Sequence, residues 1–230
     1  MPPRFNKRVK SVCVLRRILL PATLAAACVV VIGAQSQPLL SPEAPEFKVP
    51  APARFFVRLE TSRGLILLDV ERRLAPNGVD RFHALVKHGF YDGARFFRVV
   101  KPRFAQFGIA GDPAVAQAWR ERTIPDDPLI GSNVRGAVSF AFGVPNGRTT
   151  QVFINLRDNA AEFDKEPFVP FAHVMDGMDT ADALNGEYGE GAGGGIRAGK
   201  QDPLFSGGNP FLEQQFPKLD YIVRAFVVSL

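Results

Sequence analysis

The side chains able to do chemistry are few, and their placement removes several reaction classes. Both cysteines, Cys13 and Cys28, fall in the first 34 residues, so the rest of the chain has no thiol for catalysis, a disulfide or a metal site. His83, His88 and His173 lack metal-ligand spacing and read as surface or satisfied core residues; no metal is expected. Gly189-Glu190-Gly191-Ala192-Gly193-Gly194 fits G-x-G-x-x-G, and residues 194–200 fit the start of a phosphate loop. Gln201, however, stands where a Ser or Thr should hold magnesium, and the pattern neither follows a strand nor opens a helix. This stretch reads as a flexible glycine loop. With no G-x-S-x-G elbow and no carboxylate pair singled out, hydrolase chemistry has no support.

What stands out is Gly89-Phe90-Tyr91-Asp92-Gly93-Ala94-Arg95-Phe96-Phe97-Arg98-Val99-Val100, then Phe104-Ala105-Gln106-Phe107-Gly108 and Gly111-Asp112. A second block is Gly136-Ala137-Val138-Ser139-Phe140-Ala141, followed by Gln151-Val152-Phe153-Ile154-Asn155.

The elements that must position these blocks are mostly strands. Apolar runs at 55–60 and 65–70 flank Thr61-Ser62-Arg63-Gly64 and predict a hairpin. Pro76-Asn77 opens a helix whose stripe is Val79, Phe82, Leu85 and Val86, closed by Gly89. Further strands are predicted at 95–100, 137–142, 152–156, 171–174 and 221–228, and a second helix between Val174 and Asn185. Many short strands, two substantial helices and no repeated βαβ alternation argue for a closed or sandwiched antiparallel sheet. The aromatic usage, 20 Phe against 3 Tyr and 1 Trp, suits a strand-rich core and an apolar binding surface.

Composition bounds the partners. With 230 residues, 46% of them hydrophobic and 22% charged, the chain is an ordered protein. Its net charge of +5 sits entirely in residues 1–53, which hold seven bases and two acids. The remainder is neutral, so a nucleic-acid partner is not expected. Residues 1–34 read as a signal peptide or membrane anchor: bases up to Arg17, then an apolar run over 18–34. Ala34-Gln35-Ser36 resembles a processing site and Ala25-Ala26-Ala27-Cys28 weakly resembles a lipoprotein signal, so cleavage, lipidation and retention all stay open. In each case the bases precede the apolar run, which puts the remainder outside the cytoplasm. Residues 35–53 carry five prolines and read as an extended linker that does not pack, or as the disordered end of the mature protein. The domain is expected over 54–230.

The ordered blocks resemble the cyclophilin family of peptidyl-prolyl isomerases, in the form of bacterial exported members, over nearly all of residues 55–230 including Phe163-Asp164 and Phe171-Ala172-His173-Val174. The resemblance implies a mainly β fold, a closed eight-stranded antiparallel β-barrel capped by two α-helices, with an apolar proline groove on its outer face. It implies Arg98 as the catalytic arginine and Gln106 as the glutamine supporting it. Ala141 and Gln151 match groove residues contacting the peptide backbone, Phe153 the pocket floor, Phe163 an apolar wall, and Phe140 a groove methionine or phenylalanine. No cofactor is implied. The implied partners are proline-containing polypeptides, with membrane contact only through the N-terminal segment and the domain acting as a monomer.

The chemistry follows from residue types. An X-Pro bond turns slowly because rotation breaks amide conjugation, a barrier of about 18–20 kcal/mol. At the twisted midpoint the nitrogen regains a lone pair, and a fixed guanidinium beside it or its carbonyl favours that state over either planar one. Several positions depart from the family pattern. Arg103 stands where a pocket phenylalanine is usual, and a shift in the loop containing Lys101-Pro102 would bring Phe104 there. Glu162 takes the place of a common indole, Phe168 best matches a pocket-wall histidine, and Phe142 replaces an asparagine whose backbone contacts substrate. Two readings remain: an exported isomerase, and a module that holds proline-containing or apolar segments without turning them over.

Overall fold

The computed structural model describes residues 38–194 and 200–228. Eight strands run in chain order: β1 (Arg54–Thr61), β2 (Gly64–Glu71), β3 (Arg98–Val100), β4 (Phe104–Phe107), β5 (Ala137–Phe140), β6 (Val152–Asn155), β7 (Pro170–Asp176) and β8 (Ile222–Val228). They form one sheet, β3-β4-β6-β5-β7-β2-β1-β8, in which every paired neighbour is antiparallel. Alternation decides which face is buried. In β1, Phe55, Val57 and Leu59 point inward, and in β2 Ile66, Leu68 and Val70 do the same.

The closed barrel expected from the sequence is corrected to an open half-barrel. Its edges are β3 and β8, which among the described residues are joined by an isolated bridge between Arg95 and Tyr221 and a few backbone bonds, such as Gly93 N to Ile222 O at 2.7 Å. These contacts fall before β3 begins and β3 has three residues, so no ladder develops between the edges.

The two expected helices are present among five in the described residues: α1 (Pro76–Lys87), α2 (Pro113–Arg120), α3 (Ala160–Phe163), α4 (Met178–Ala183) and α5 (Asp202–Gln215). The stripe of α1 is buried as predicted. Its first N–H groups, on Asn77 and Gly78, donate to Asp127 at 2.9 Å, and Asp127 also pairs with the fully buried Arg148 at 3.1 Å. Two capping helices was an underestimate. Helix α2 is capped by Asp112, whose carboxylate accepts from Ala114 N at 2.8 Å, and it packs on α5. Helix α5 was not expected; within it Gly208 leaves the helical region, at φ +53°, and Asn209 N donates to Gly111 O at 2.8 Å.

The segment read as an unpacked linker is also corrected over its described part. Residues 38–40 and 45–48 form 3-10 turns, and Leu39, Phe47 and Ala51 are buried. The Phe47 ring meets Trp119 edge-on at 4.9 Å and His88 at 4.6 Å, Trp119 Nε1 donates to Leu39 O at 2.8 Å, and Ala51 N donates to Asp80 at 2.8 Å. The prolines favour extension, but burial of two large apolar side chains outweighs that preference. The leader over 1–34 lies outside the described residues, none of whose helices is long and apolar enough to cross a membrane.

Candidate functional site

Strand register builds the site. Arg98 on β3 sits opposite Gln106 on β4, which sits opposite Phe153 on β6, so the three form a row across one face. Phe104, two residues before Gln106, shares that face, while Ala105 and Phe107 turn into the barrel core. Gly108 ends β4 at φ +109°, where a Cβ would stand 2.5 Å from Thr150 O; this close approach keeps β4 against the segment leading to Gln151.

Phe104, Phe153 and Phe163 form an apolar cluster separate from the core, with Val100, Ala141 and Phe168 against it. Their ring centroids stand 5.7 Å apart for Phe104 and Phe153, 5.6 Å for Phe153 and Phe163, and 4.9 Å for Phe163 and Phe168. The Arg98 guanidinium lies 4.8 Å from the Phe104 centroid. Its Nη1 donates to Gln106 Oε1 at 3.0 Å, while Nε and Nη2 donate to the Glu190 carboxylate at 2.7 and 2.8 Å. The side chain is only 23% exposed against 50% for Glu190. Gln106 Nε2 donates in turn to Gln151 Oε1 at 2.8 Å, and both amides are buried.

Of the expected site residues, Arg98, Phe104, Gln106, Ala141, Gln151, Phe153, Phe163 and Phe168 line one cleft of about 520 Å³. Phe140 does not line it. Its ring is fully buried in the barrel core, 5.1 Å from Phe171, because alternation along β5 turns it inward and leaves the next residue, Ala141, facing the cleft. Phe104 stands in the pocket despite the extra residue before it. Arg103 moves to the rim, 5.2 Å from the Phe163 ring, and pairs with Glu162 at 2.6 Å; the same carboxylate holds Arg157 at 2.6 Å. Phe142 stacks on Phe168 at 4.6 Å.

Several lining residues were not foreseen: Arg120, Thr123, Val144, Thr149, Gln201 and Phe205. The buried ion pairs of Arg148 with Asp126 and Asp127 tie together the two loops that supply Thr123 and Val144. Glu190 and Gln201 come from the glycine-rich stretch. That stretch, contrary to the sequence reading, does lead into a helix, α5, and its described part is packed. Ala192 is buried, and a Cβ on Gly193 would stand 2.7 Å from the side chains of Phe97 and Leu204. Asp202 and Pro203 fill the first turn of α5, so an incoming phosphate would meet a carboxylate. Residues 195–199 of the candidate phosphate loop lie outside the described residues.

Known proteins agree with this architecture. The family described as cyclophilin type peptidyl-prolyl cis-trans isomerase/CLD matches residues 56–198. A peptidyl-prolyl cis-trans isomerase of Streptomyces antibioticus is 32% identical over 142 residues, covering 56% of this chain and 82% of its own. Peptidyl-prolyl cis-trans isomerase B of Escherichia coli is 28% identical over 181 residues, covering 75% of this chain and 99% of its own. The solved structure of a cyclophilin-type isomerase from Cryptosporidium parvum superposes with a TM-score of 0.56 at 19% identity, covering 77% of this chain and 99% of that one.

Proposed function

The chain belongs to the cyclophilin-type peptidyl-prolyl cis-trans isomerases, and we propose that Arg98 is the group that speeds rotation about the X-Pro bonds of its polypeptide substrates. A proline ring enters the slot formed by Phe104, Phe153 and Phe163, which holds it while the acyl side turns. As conjugation breaks, the ring nitrogen becomes an acceptor, and the guanidinium beside Phe104 stabilises it or the neighbouring carbonyl. Arginine has five N–H donors. Gln106 and Glu190 engage three of Arg98's, and the remaining two have no partner among the described residues. The observation that carries this reading is that arrangement: a braced arginine with donors to spare, stacked on a ring of the apolar slot. Water-poor walls strengthen its field.

The clamp by Glu190 favours a second reading, a groove that binds proline-containing or apolar segments without turning them over, because a paired guanidinium offers a weaker field. A coupled proline-peptide assay separates the two. Under the isomerase reading, Arg98→Ala lowers kcat/KM about a hundredfold to thousandfold, as for other positioned donors. Equal rates in wild type and variant remove Arg98 from the chemistry.

The location is part of the same proposal. Basic residues ahead of the apolar run over 18–34 support export or anchoring, with the isomerase outside the cytoplasm as a monomer acting on exported proteins. Fractionation of cells and the mass of the mature N-terminus test it; a soluble cytoplasmic protein beginning at Met1 contradicts it.

A further inference from the structure

We propose that Gln201, at the start of α5, is a positioning residue for Arg98 that acts through Gln151 and Gln106. The inference rests on the reading of Arg98 as the catalytic group. Three amides form a buried line: Gln106, Gln151 and Gln201 are 3%, 8% and 2% exposed. Gln151 Nε2 donates to Gln201 Oε1 at 2.9 Å, and Gln201 Nε2 donates back to Gln151 Oε1 at 3.2 Å. Gln151 Oε1 also accepts from Gln106 Nε2 at 2.8 Å, and Gln106 Oε1 accepts from Arg98 Nη1 at 3.0 Å.

The polarity of this line has one consistent setting. A guanidinium only donates, so Gln106 must turn its oxygen to Arg98 and its nitrogen away. Gln151 must then offer oxygen to Gln106, which leaves its own nitrogen needing an acceptor. Gln201 Oε1 supplies it, and the reciprocal bond from Gln201 Nε2 holds Gln151 Oε1 in place. Without Gln201, the Gln151 amide is free to flip, presenting N–H to N–H at Gln106 and releasing Nη1. A buried amide left without partners is costly, so the setting is enforced strongly.

Gln201 is suited to this task because its backbone is fixed. Leu204 N and Phe205 N donate to Gln201 O at 3.0 and 3.1 Å, forming the first turn of α5, and both Leu204 and Phe205 are buried. The line therefore runs from a helix anchored in the core to a guanidinium at the cleft. One Gln151 N–H is spent on Gln201, and the other remains for a substrate carbonyl.

The test is a double-mutant cycle on the full chain, read as kcat and KM for a proline peptide. Gln201→Met keeps volume and removes both hydrogen-bonding atoms. It is expected to lower kcat about tenfold with KM nearly unchanged, and to change the residual activity of Arg98→Ala by less than about twofold. Gln201→Asn, one methylene shorter, falls out of reach of Gln151 and is expected to show the same loss; it decides the matter if Gln201→Met does not fold. Equal losses in the wild-type and Arg98→Ala backgrounds, or no loss in either, overturn the positioning role. A normal rate in Arg98→Ala alone is a separate result, which sinks the reading of Arg98 beneath it.

Discussion

Phe107, Phe140 and Phe171 lie in the barrel core with no exposed surface, among other buried apolar side chains; Arg148, 5.9 Å from the Phe140 ring, is itself fully buried and paired with Asp127. Phe104, Phe153 and Phe163 are nearly as buried, at 5%, 3% and 8% exposed, but are covered by one another and by two arginines, with Arg98 4.8 Å from Phe104 and Arg103 5.2 Å from Phe163. The same residue type fills one region and lines the other. What differs is the cover, which is closed over the core and, at the site, adjoins an open cleft rimmed by partly exposed arginines. Burial alone therefore does not separate packing residues from binding ones in this molecule.

Truncation should break the comparison open. Phe140→Ala leaves a core cavity and is expected to cost about 3–5 kcal/mol in urea unfolding, with kcat/KM of the folded protein unchanged. Phe153→Ala opens into the cleft, where neighbours relax, so its cost is expected near 2 kcal/mol. Its kcat/KM, however, should fall at least tenfold as the proline ring loses its floor. A Phe140→Ala variant that is stable but inactive would reverse the assignment of the two clusters.

Acid sharpens the contrast between fold and site. His83, on α1 and against Phe55, has its imidazole pKa lowered by burial and by Lys87, with Asp80 opposing. Its folded value lies below its unfolded one, so the unfolded state binds the extra proton first. The contribution is complete above the unfolded pKa of about 6.5 and is lost as pH falls through the folded value. Unfolding free energy should thus decline from pH 7 to pH 5, and less so in His83→Gln. The proposed chemistry uses no titrating group, so kcat/KM should stay flat over pH 6–8; a bell-shaped profile would implicate an acid or base.

The smallest expected effect is at the rim. Glu190 is half-exposed, and such pairs contribute about 0–1 kcal/mol. Glu190→Ala is expected to change kcat/KM by no more than about threefold in the proline-peptide assay. A loss as large as that of Arg98→Ala would make Glu190 the principal brace.

Much of this site was legible because it lies on strands close in sequence. Arg98 and Gln106 are eight residues apart and meet across one turn, and the blocks around them carry enough ordered residues to fix the register. Phe140 was misplaced because one step along a strand reverses the face, and family position alone did not settle that step. Glu190 and Gln201 were hidden for another reason. They reach Arg98 and Gln151 from 92 and 50 residues away through a glycine-rich excursion whose composition reads as a loop. The strap over Leu39, Phe47 and Ala51 was missed because proline content outweighed two isolated apolar side chains.

The central claim is that Arg98 stabilises the twisted imide and not the bound peptide. Titration of a proline peptide followed by NMR, with cis/trans exchange of the bound form measured in wild type and Arg98→Ala, tests it directly. The account predicts a Kd within about threefold and an on-enzyme exchange rate at least a hundredfold slower in the variant. A Kd that weakens a hundredfold with exchange unchanged would make Arg98 a binding residue and contradict the account.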